Sequence, residues 1–400
     1  IDYGKTWKRM VDEKKVKGYA LTVIQDPVES NLVFLGTENG LWMSVDEGIT
    51  WEQFKNGFPS VSTMDLKIQE PESALIIGTF GRAIWVLDDL LSLREITANR
   101  LETGITALPM NNAVQVKGLF INPPGNIWTG FNTTFEGENK VFQKTKIPFY
   151  ISGQPAENSM VKAEVYDPQN RLINTIETAD LDPGLNYIIW KLDEKSTSLP
   201  GSWTDDFSRD IPVLPGDYTI VLNYGTHKDT TSVKVIPDPR FELPSNVDTE
   251  LYSFRKELDV QVAVLAAHLK DIDKKKELVG NIIKKQSKDQ VLSDETMFTL
   301  VKNMERQLIE LRSKGQTPKP DRQVGAWQSF ETTPYSKIQD ALTVAAAQTT
   351  VPSFQHQEIL KQAAVLVDKF SKTVSSFMKN EWLSFESELN KGNIQLEVER

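Results

Sequence analysis

The pattern Asp-x-Gly-x-Thr-Trp occurs twice, at Asp2-Tyr3-Gly4-Lys5-Thr6-Trp7 and at Asp46-Glu47-Gly48-Ile49-Thr50-Trp51, with Ser44 two residues ahead of the second copy. Asp2 and Asp46 lie 44 positions apart. A period of that length, filled with short apolar runs, marks a repeated unit of four short strands. Each residue type in the pattern has a physical task. The carboxylate accepts backbone N–H groups in a tight turn, glycine takes a positive φ, and tryptophan packs between neighbouring sheets. Asp2, Gly4, Thr6, Trp7, Ser44, Asp46, Gly48, Thr50 and Trp51 are therefore expected to build turns, and none of them is expected to be catalytic.

The strands between the boxes also repeat. Leu32-Val33-Phe34-Leu35-Gly36 and Gly40-Leu41-Trp42-Met43-Ser44 flank an Asn39-Gly40 hairpin signal. Ser73–Phe80 repeats the first run and Arg82–Asp88 the second. Gly36 to Gly78 is 42 positions and Trp42 to Trp85 is 43, so one residue has been inserted. After Asp88 the chain reads Asp89-Leu90-Leu91, without the Gly or Trp of a box.

These boxes resemble the Asp-boxes of bacterial neuraminidase-like (BNR) and sortilin-like β-propellers. The stretch Gly78–Asp89 looks like the closing blade of large bacterial sortilin-like proteins. The resemblance implies that residues 1–95 are the last blades of a propeller, with the boxes on its outer rim. Two and a fraction blades cannot close a ring, because sheet faces and edges would stay bare. The chain opens inside a box, with Ile and not Met, so it is expected to be the C-terminal part of a longer protein. The upstream blades of that precursor are its first expected partner.

Residues 96–140 read as a connector rich in Asn, Gly and Pro, including Asn122-Pro123-Pro124-Gly125-Asn126. Across 141–240, Lys146–Ile151, Val161–Tyr166, Gly184–Trp190, Pro215–Leu222 and Thr231–Ile236 alternate as half-buried strands do. This zone resembles the immunoglobulin-like domain of the flagellar hook-capping protein, with Trp190 expected in its core. Residues 246–392 carry helical stripes. They run through Leu251, Phe254, Leu258, Val262, Leu265, Leu269 and Ile272, then Met297, Leu300, Met304, Leu308 and Leu311. A shorter one holds Ile338, Leu342 and Ala345, and a last one Ile359, Ala363, Leu366, Phe370, Val374 and Phe377. Asp248 and Ser353 are expected N-caps. The fold class expected is thus multidomain β plus α: terminal propeller blades, an immunoglobulin-like sandwich and a C-terminal antiparallel helical bundle.

Composition narrows the chemistry. The net charge is −10, and the runs Lys274–Lys276 and Lys284–Lys285 are interleaved with acids, which argues against a nucleic-acid surface. There is no cysteine, and the three histidines, His227, His268 and His356, have no metal-ligand spacing. No nucleotide, flavin or hydrolase loop motif occurs, so no cofactor is expected. Propeller relatives include sialidases and other glycoside hydrolases, which need paired acids or a tyrosine nucleophile. The acids Asp65, Glu70 and Glu72 carry no such signature, and Arg82 is the only arginine between Arg9 and Arg94. The expected function is non-catalytic recognition or scaffolding, with a peptide or glycan ligand, in a cell-surface or outer-membrane assembly. The alternative is the structural C-terminus of a glycoside hydrolase whose acids lie upstream. The resemblance implies an extracellular, surface or periplasmic location. Asn132-Thr133-Thr134 and Asp229-Thr230-Thr231 read formally as glycosylation acceptors.

Overall fold

The computed structural model describes residues 3–55, 57–98, 101, 104–115, 145–200, 210–239, 244, 246–289, 295–316, 332–347 and 350–392. Mixed β and α structure results, with antiparallel pairing in almost every sheet. The expected connector features at 122–126, the sequon at Asn132 and Asp2 of the first box lie outside the described residues. The chain divides into two compact units, 1–193 with 215–241, and 194–214 with 242–400.

In the first unit, β1 (Ala20–Gln25), β2 (Val33–Thr37), β3 (Gly40–Ser44) and β4 (Glu52–Gln53) form one antiparallel sheet in sequence order. A second sheet follows the same order through β5 (Thr63–Gln69), β6 (Ala74–Thr79) and β7 (Ile84–Leu87). The repeat extends to a defect. β1 slips register between Ala20 and Thr22 opposite Thr37 and Gly36, and β5 slips between Thr63 and Asp65 opposite Thr79 and Gly78. A β-bulge conserved between two copies sets the same local twist in both. The faces stack in one direction. Phe34, Leu41 and Met43 of the first sheet meet Leu66, Leu75, Ile77 and Trp85 of the second in one core. The ring of Trp85 stands edge-on to Phe58 at 5.3 Å.

Among the described residues the second sheet has three strands. Instead of a fourth strand the chain enters helix α1 (Leu90–Ala98), where strands and then a connector were expected. Arg94 of α1 reaches back to the β1–β2 turn, donating from Nε and Nη2 to Asp26 at 2.9–3.1 Å and from Nη1 to Ser73 Oγ at 3.1 Å. All three residues are buried.

The rest of this unit is two facing sheets. One runs β13 (Gly184–Trp190), β10 (Thr145–Ile151), β8 (Ile105–Ala107). The other runs β12 (Leu172–Thr178), β11 (Val161–Tyr166), β16 (Gly216–Tyr224), β17 (His227–Pro237), β9 (Ala113–Gln115), with β17 and β9 parallel. Trp190 is fully buried, as expected of a core residue. It packs on Tyr218 of the opposite sheet at 5.3 Å, and its indole N–H donates to Asp193 O at 2.9 Å.

The second unit is helical. Helices α2 (Val247–Asp289), α3 (Glu295–Gly315), α4 (Pro334–Ala347) and α5 (Phe354–Phe377) are followed by a π turn at Met378–Trp382 and by α6 (Leu383–Lys391). At 43 residues α2 is about 65 Å long at 1.5 Å per residue. All seven stripe residues expected on α2 are buried. On α5 the buried stripe is Leu360, Ala363, Val367, Phe370 and Val374, so Leu366 yields to its neighbour Val367. Ser353 caps α5, its N–H donating to His356 Nδ1 at 2.9 Å. Asp248 is not a cap; it lies inside the first turn of α2, where its charge still opposes the positive helix end. Residues 194–214, inside the range expected for the sandwich, group with the helices, and the short strands β14 (Asp193–Glu194) and β15 (Ile211–Pro212) pair with each other. There Glu194 pairs with Lys256 at 2.7 Å, Asp259 accepts the Thr197 N–H at 2.8 Å, and Leu199 enters the helical core.

Candidate functional site

The box at Asp46 links β3 to β4, and its geometry accounts for every residue type. The Ser44 hydroxyl donates to Asp46 Oδ1 and accepts the Gly48 N–H, both at 2.8 Å. Asp46 Oδ1 also accepts the Thr50 N–H at 2.8 Å, and Oδ2 accepts the Thr50 hydroxyl at 2.6 Å. Glu47 and Gly48 sit at φ 56° and 82°. The positive φ at Gly48 is what requires glycine; a Cβ there would also meet Met10 Cε at 2.3 Å, but that is the movable end of a flexible side chain. The Trp51 indole donates to Gly48 O at 2.9 Å. Partial burial pushes the Asp46 carboxyl upward, but its bonds from Thr50 and Ser44 outweigh this and hold it below the usual carboxylate range.

Trp51 was expected between sheets. It lies half-buried on the face of the first sheet turned away from the second, with Leu35, Trp42, Val16 and Val11. The described part of the first box, Tyr3–Trp7, repeats two features of the second. Tyr3 and Gly4 take φ 57° and 79°, and the Trp7 indole donates to Gly4 O at 3.1 Å. Thr6, Trp7 and Tyr3 are exposed, Trp7 at 91%. Among the described residues this turn has no sheet of its own.

A third carboxylate belongs to the series. Aligning Trp42 with Trp85 places Asp89 at the position of Asp46. Asp89 accepts the Ser92 N–H at 3.0 Å and the Ser92 hydroxyl, capping α1, and it accepts the Tyr187 hydroxyl at 3.2 Å. Burial first, then the adjacent Asp89 charge, raise the Tyr187 pKa. The box was read from the sequence as lost, whereas its acid persists in a different turn. The Asp-Leu-Leu-Ser spacing of a helix cap was the available signal.

The candidate acids for hydrolysis do not form a constellation. Asp65 Oδ1 accepts the Leu66 N–H at the β5 bulge, while Glu70 and Glu72 stand exposed in the β5–β6 turn. Among the described residues no group of three or more His, Asp or Glu could hold a metal ion. A groove of about 610 Å³ between α3 and α5 is lined by Lys314, Lys369, Lys372, Glu310 and Glu381. Lys314 pairs with Glu310 and Lys372 with Asp368, which makes it a mixed-charge helix surface. Asp229 and Thr231 of the other acceptor motif tie β17 to β8. The first accepts the Ala107 N–H at 2.9 Å and the second donates to Leu108 O at 2.9 Å.

Among the described residues no helix is long and apolar enough to cross a membrane. A scan against protein-family models matches none, and no curated protein matches the chain either.

Proposed function

We infer that the two repeated sheets are blades of a BNR-type, sortilin-like β-propeller. On this reading the following sheets are an immunoglobulin-like sandwich and the helices an antiparallel bundle, and the whole is a non-catalytic recognition or scaffold portion of a surface-exposed protein. One observation carries it. Phe34, Leu41 and Met43 pack against the second sheet, and the positions equivalent to them in that sheet are Ile76, Ile84 and Val86. Ile84 is 71% and Val86 53% exposed, whereas Phe34 and Leu41 are fully buried. Among the described residues nothing covers that sheet face, and Val23, 63% exposed, is equally bare on the outer face of the first sheet. Further blades of the same kind supply the missing layers, and a peptide or glycan is the ligand class for the completed ring. The net charge of −10 favours such ligands over nucleic acid.

The alternative, a structural C-terminus of a glycoside hydrolase, rests on the same blades and needs acids outside this chain. The test is to assay residues 1–400, alone and fused to upstream blades, on polysaccharide, sialoside and peptide panels. Binding without turnover by the fusion supports the scaffold reading. Turnover by the fusion alone promotes the hydrolase reading, and turnover by residues 1–400 alone refutes both.

A further inference from the structure

We propose that Thr230 is a modification site, the acceptor of an O-linked glycan. The inference rests on the surface-exposed reading above only for where the transfer takes place. Asp229-Thr230-Thr231 reads as an acceptor from the sequence, and so short a motif needs a structural context to support it. β17 supplies that context, because side-chain alternation along the strand separates the three residues. Asp229 and Thr231 share the face of the buried Val233 and Val235. Their side chains are already held, Asp229 by the Ala107 N–H and Thr231 by Leu108 O, each at 2.9 Å. Thr230 stands on the opposite face with Lys228, Ser232 and Lys234, and all four are exposed. Its backbone N–H donates to Asp229 Oδ1 at 2.8 Å, and its hydroxyl has no partner among the described residues. Of the two hydroxyls in the motif, only that of Thr230 is available.

The backbone at this point is reachable as well. β17 pairs with β16 along its length, with Val221 opposite Thr230, whereas β9 pairs only with Val235, Ile236 and Pro237. Among the described residues the stretch 227–234 is therefore laddered on one side. An extended segment with one open side is a form in which another chain, here a transferase, can grip it by strand addition. In the transfer, Thr230 Oγ attacks the anomeric carbon of a sugar activated as a phosphate ester. The bond from that carbon to the phosphate oxygen breaks, phosphate leaves with the electron pair, and the hydroxyl proton passes to a base of the transferase. The sugar grows from a side chain already in solvent, so the core is undisturbed. Once attached, it lays hydrophilic bulk beside an edge that would otherwise invite pairing with other chains.

The test uses the full chain carrying an export signal, made in a bacterium with surface O-glycosylation and in one without it. Intact mass should rise by whole sugar residues in the first host only, and fragment spectra should place the sugar on Thr230. Thr230→Val should lose the increase, while Ser232→Ala, which removes the neighbouring exposed hydroxyl, should keep it. An unshifted mass in the glycosylating host, a sugar mapped elsewhere with Thr230 bare, or phosphate in place of sugar on Thr230 overturns the proposal. The proposed function is judged separately, by ligand binding of the fusion to upstream blades and by fractionating the cells that make the protein, so either reading can fail alone.

Discussion

Arg94→Ala is expected to be the most damaging single truncation in the repeated sheets outside their apolar core. The Asp26 side chain is fully buried and the Arg94 side chain 10% exposed. Three of the four guanidinium contacts go to the Asp26 carboxylate. Truncating one partner of a buried pair costs about 3–5 kcal/mol, because the remaining charge is left without a counter-ion. Asp26 keeps two backbone donors, the N–H groups of Val28 and Glu29, each at 2.8 Å. Those bonds offset part of the loss and place the expected cost near the low end, about 3 kcal/mol. For a unit of this size that lowers the unfolding midpoint by about 6–12 °C. Calorimetry on the full chain reads this as a shift of one transition, and hydrogen exchange locates it at β1, β2 and α1. Arg94→Lys, which keeps charge but loses the planar fork, should fall between wild type and alanine. The double variant Asp26→Leu/Arg94→Leu should recover most of the loss, since two apolar groups need no partner. A cost below about 1 kcal/mol for Arg94→Ala would refute the reasoning, because such values belong to exposed pairs.

Other positions separate packing from chemistry. Gly36→Ala should destabilise by about 1–3 kcal/mol through overpacking, since its Cβ would fall 2.6 Å from Thr63 O. At the equivalent Gly78 the nearest atoms are 3.6 Å away, so Gly78→Ala should be close to neutral in urea titration. Trp51→Ala should cost about 2 kcal/mol, roughly half the value for a fully buried tryptophan, without changing ligand binding by protein that remains folded. The Asp46 pKa is lowered in the fold from 3.8, so its contribution is present above pH 3.8 and fades as pH falls through the lower folded value. Asp46→Asn should remove that slope from an acid titration of stability. Burial, only partly offset by Asp271, lowers the His268 pKa from 6.5. Stability from neutral His268 is therefore complete above pH 6.5 and declines as pH falls through the folded value, and His268→Gln should flatten the decline in thermal scans.

Much of this architecture was legible because it is periodic. The 44-position spacing located the box turns, and the three-to-four step of Leu251–Ile272 located the buried face of α2. Periodicity fails where two apolar residues are adjacent, as at Leu366 and Val367, because one step of 100° then decides which is inside. It also fails for contacts distant in sequence. Asp26 and Arg94 are separated by 68 positions, and nothing local announces their pairing. The same holds for Thr197 and Asp259, which draw residues 194–214 towards the helices. The positive φ at Gly48 could be read from the glycine, but the half-burial of Trp51 depends on which sheet face lacks a neighbour. No local pattern encodes that.

The acid shared by Asp46 and Asp89 bears on how a tandem array ends. Both carboxylates stand at the exit of a third strand and collect an N–H and a hydroxyl from a residue three or four positions on. The residue two places after the acid is Gly48 in one and Leu91 in the other, and the places of Thr50 and Trp51 are taken by Leu93 and Arg94. Glycine lets the chain reverse at positive φ and add a strand, whereas leucine prefers right-handed backbone and nucleates a helix. One carboxylate position thus serves two different chain exits, a reversal into a further strand after Asp46 and the first turn of a helix after Asp89.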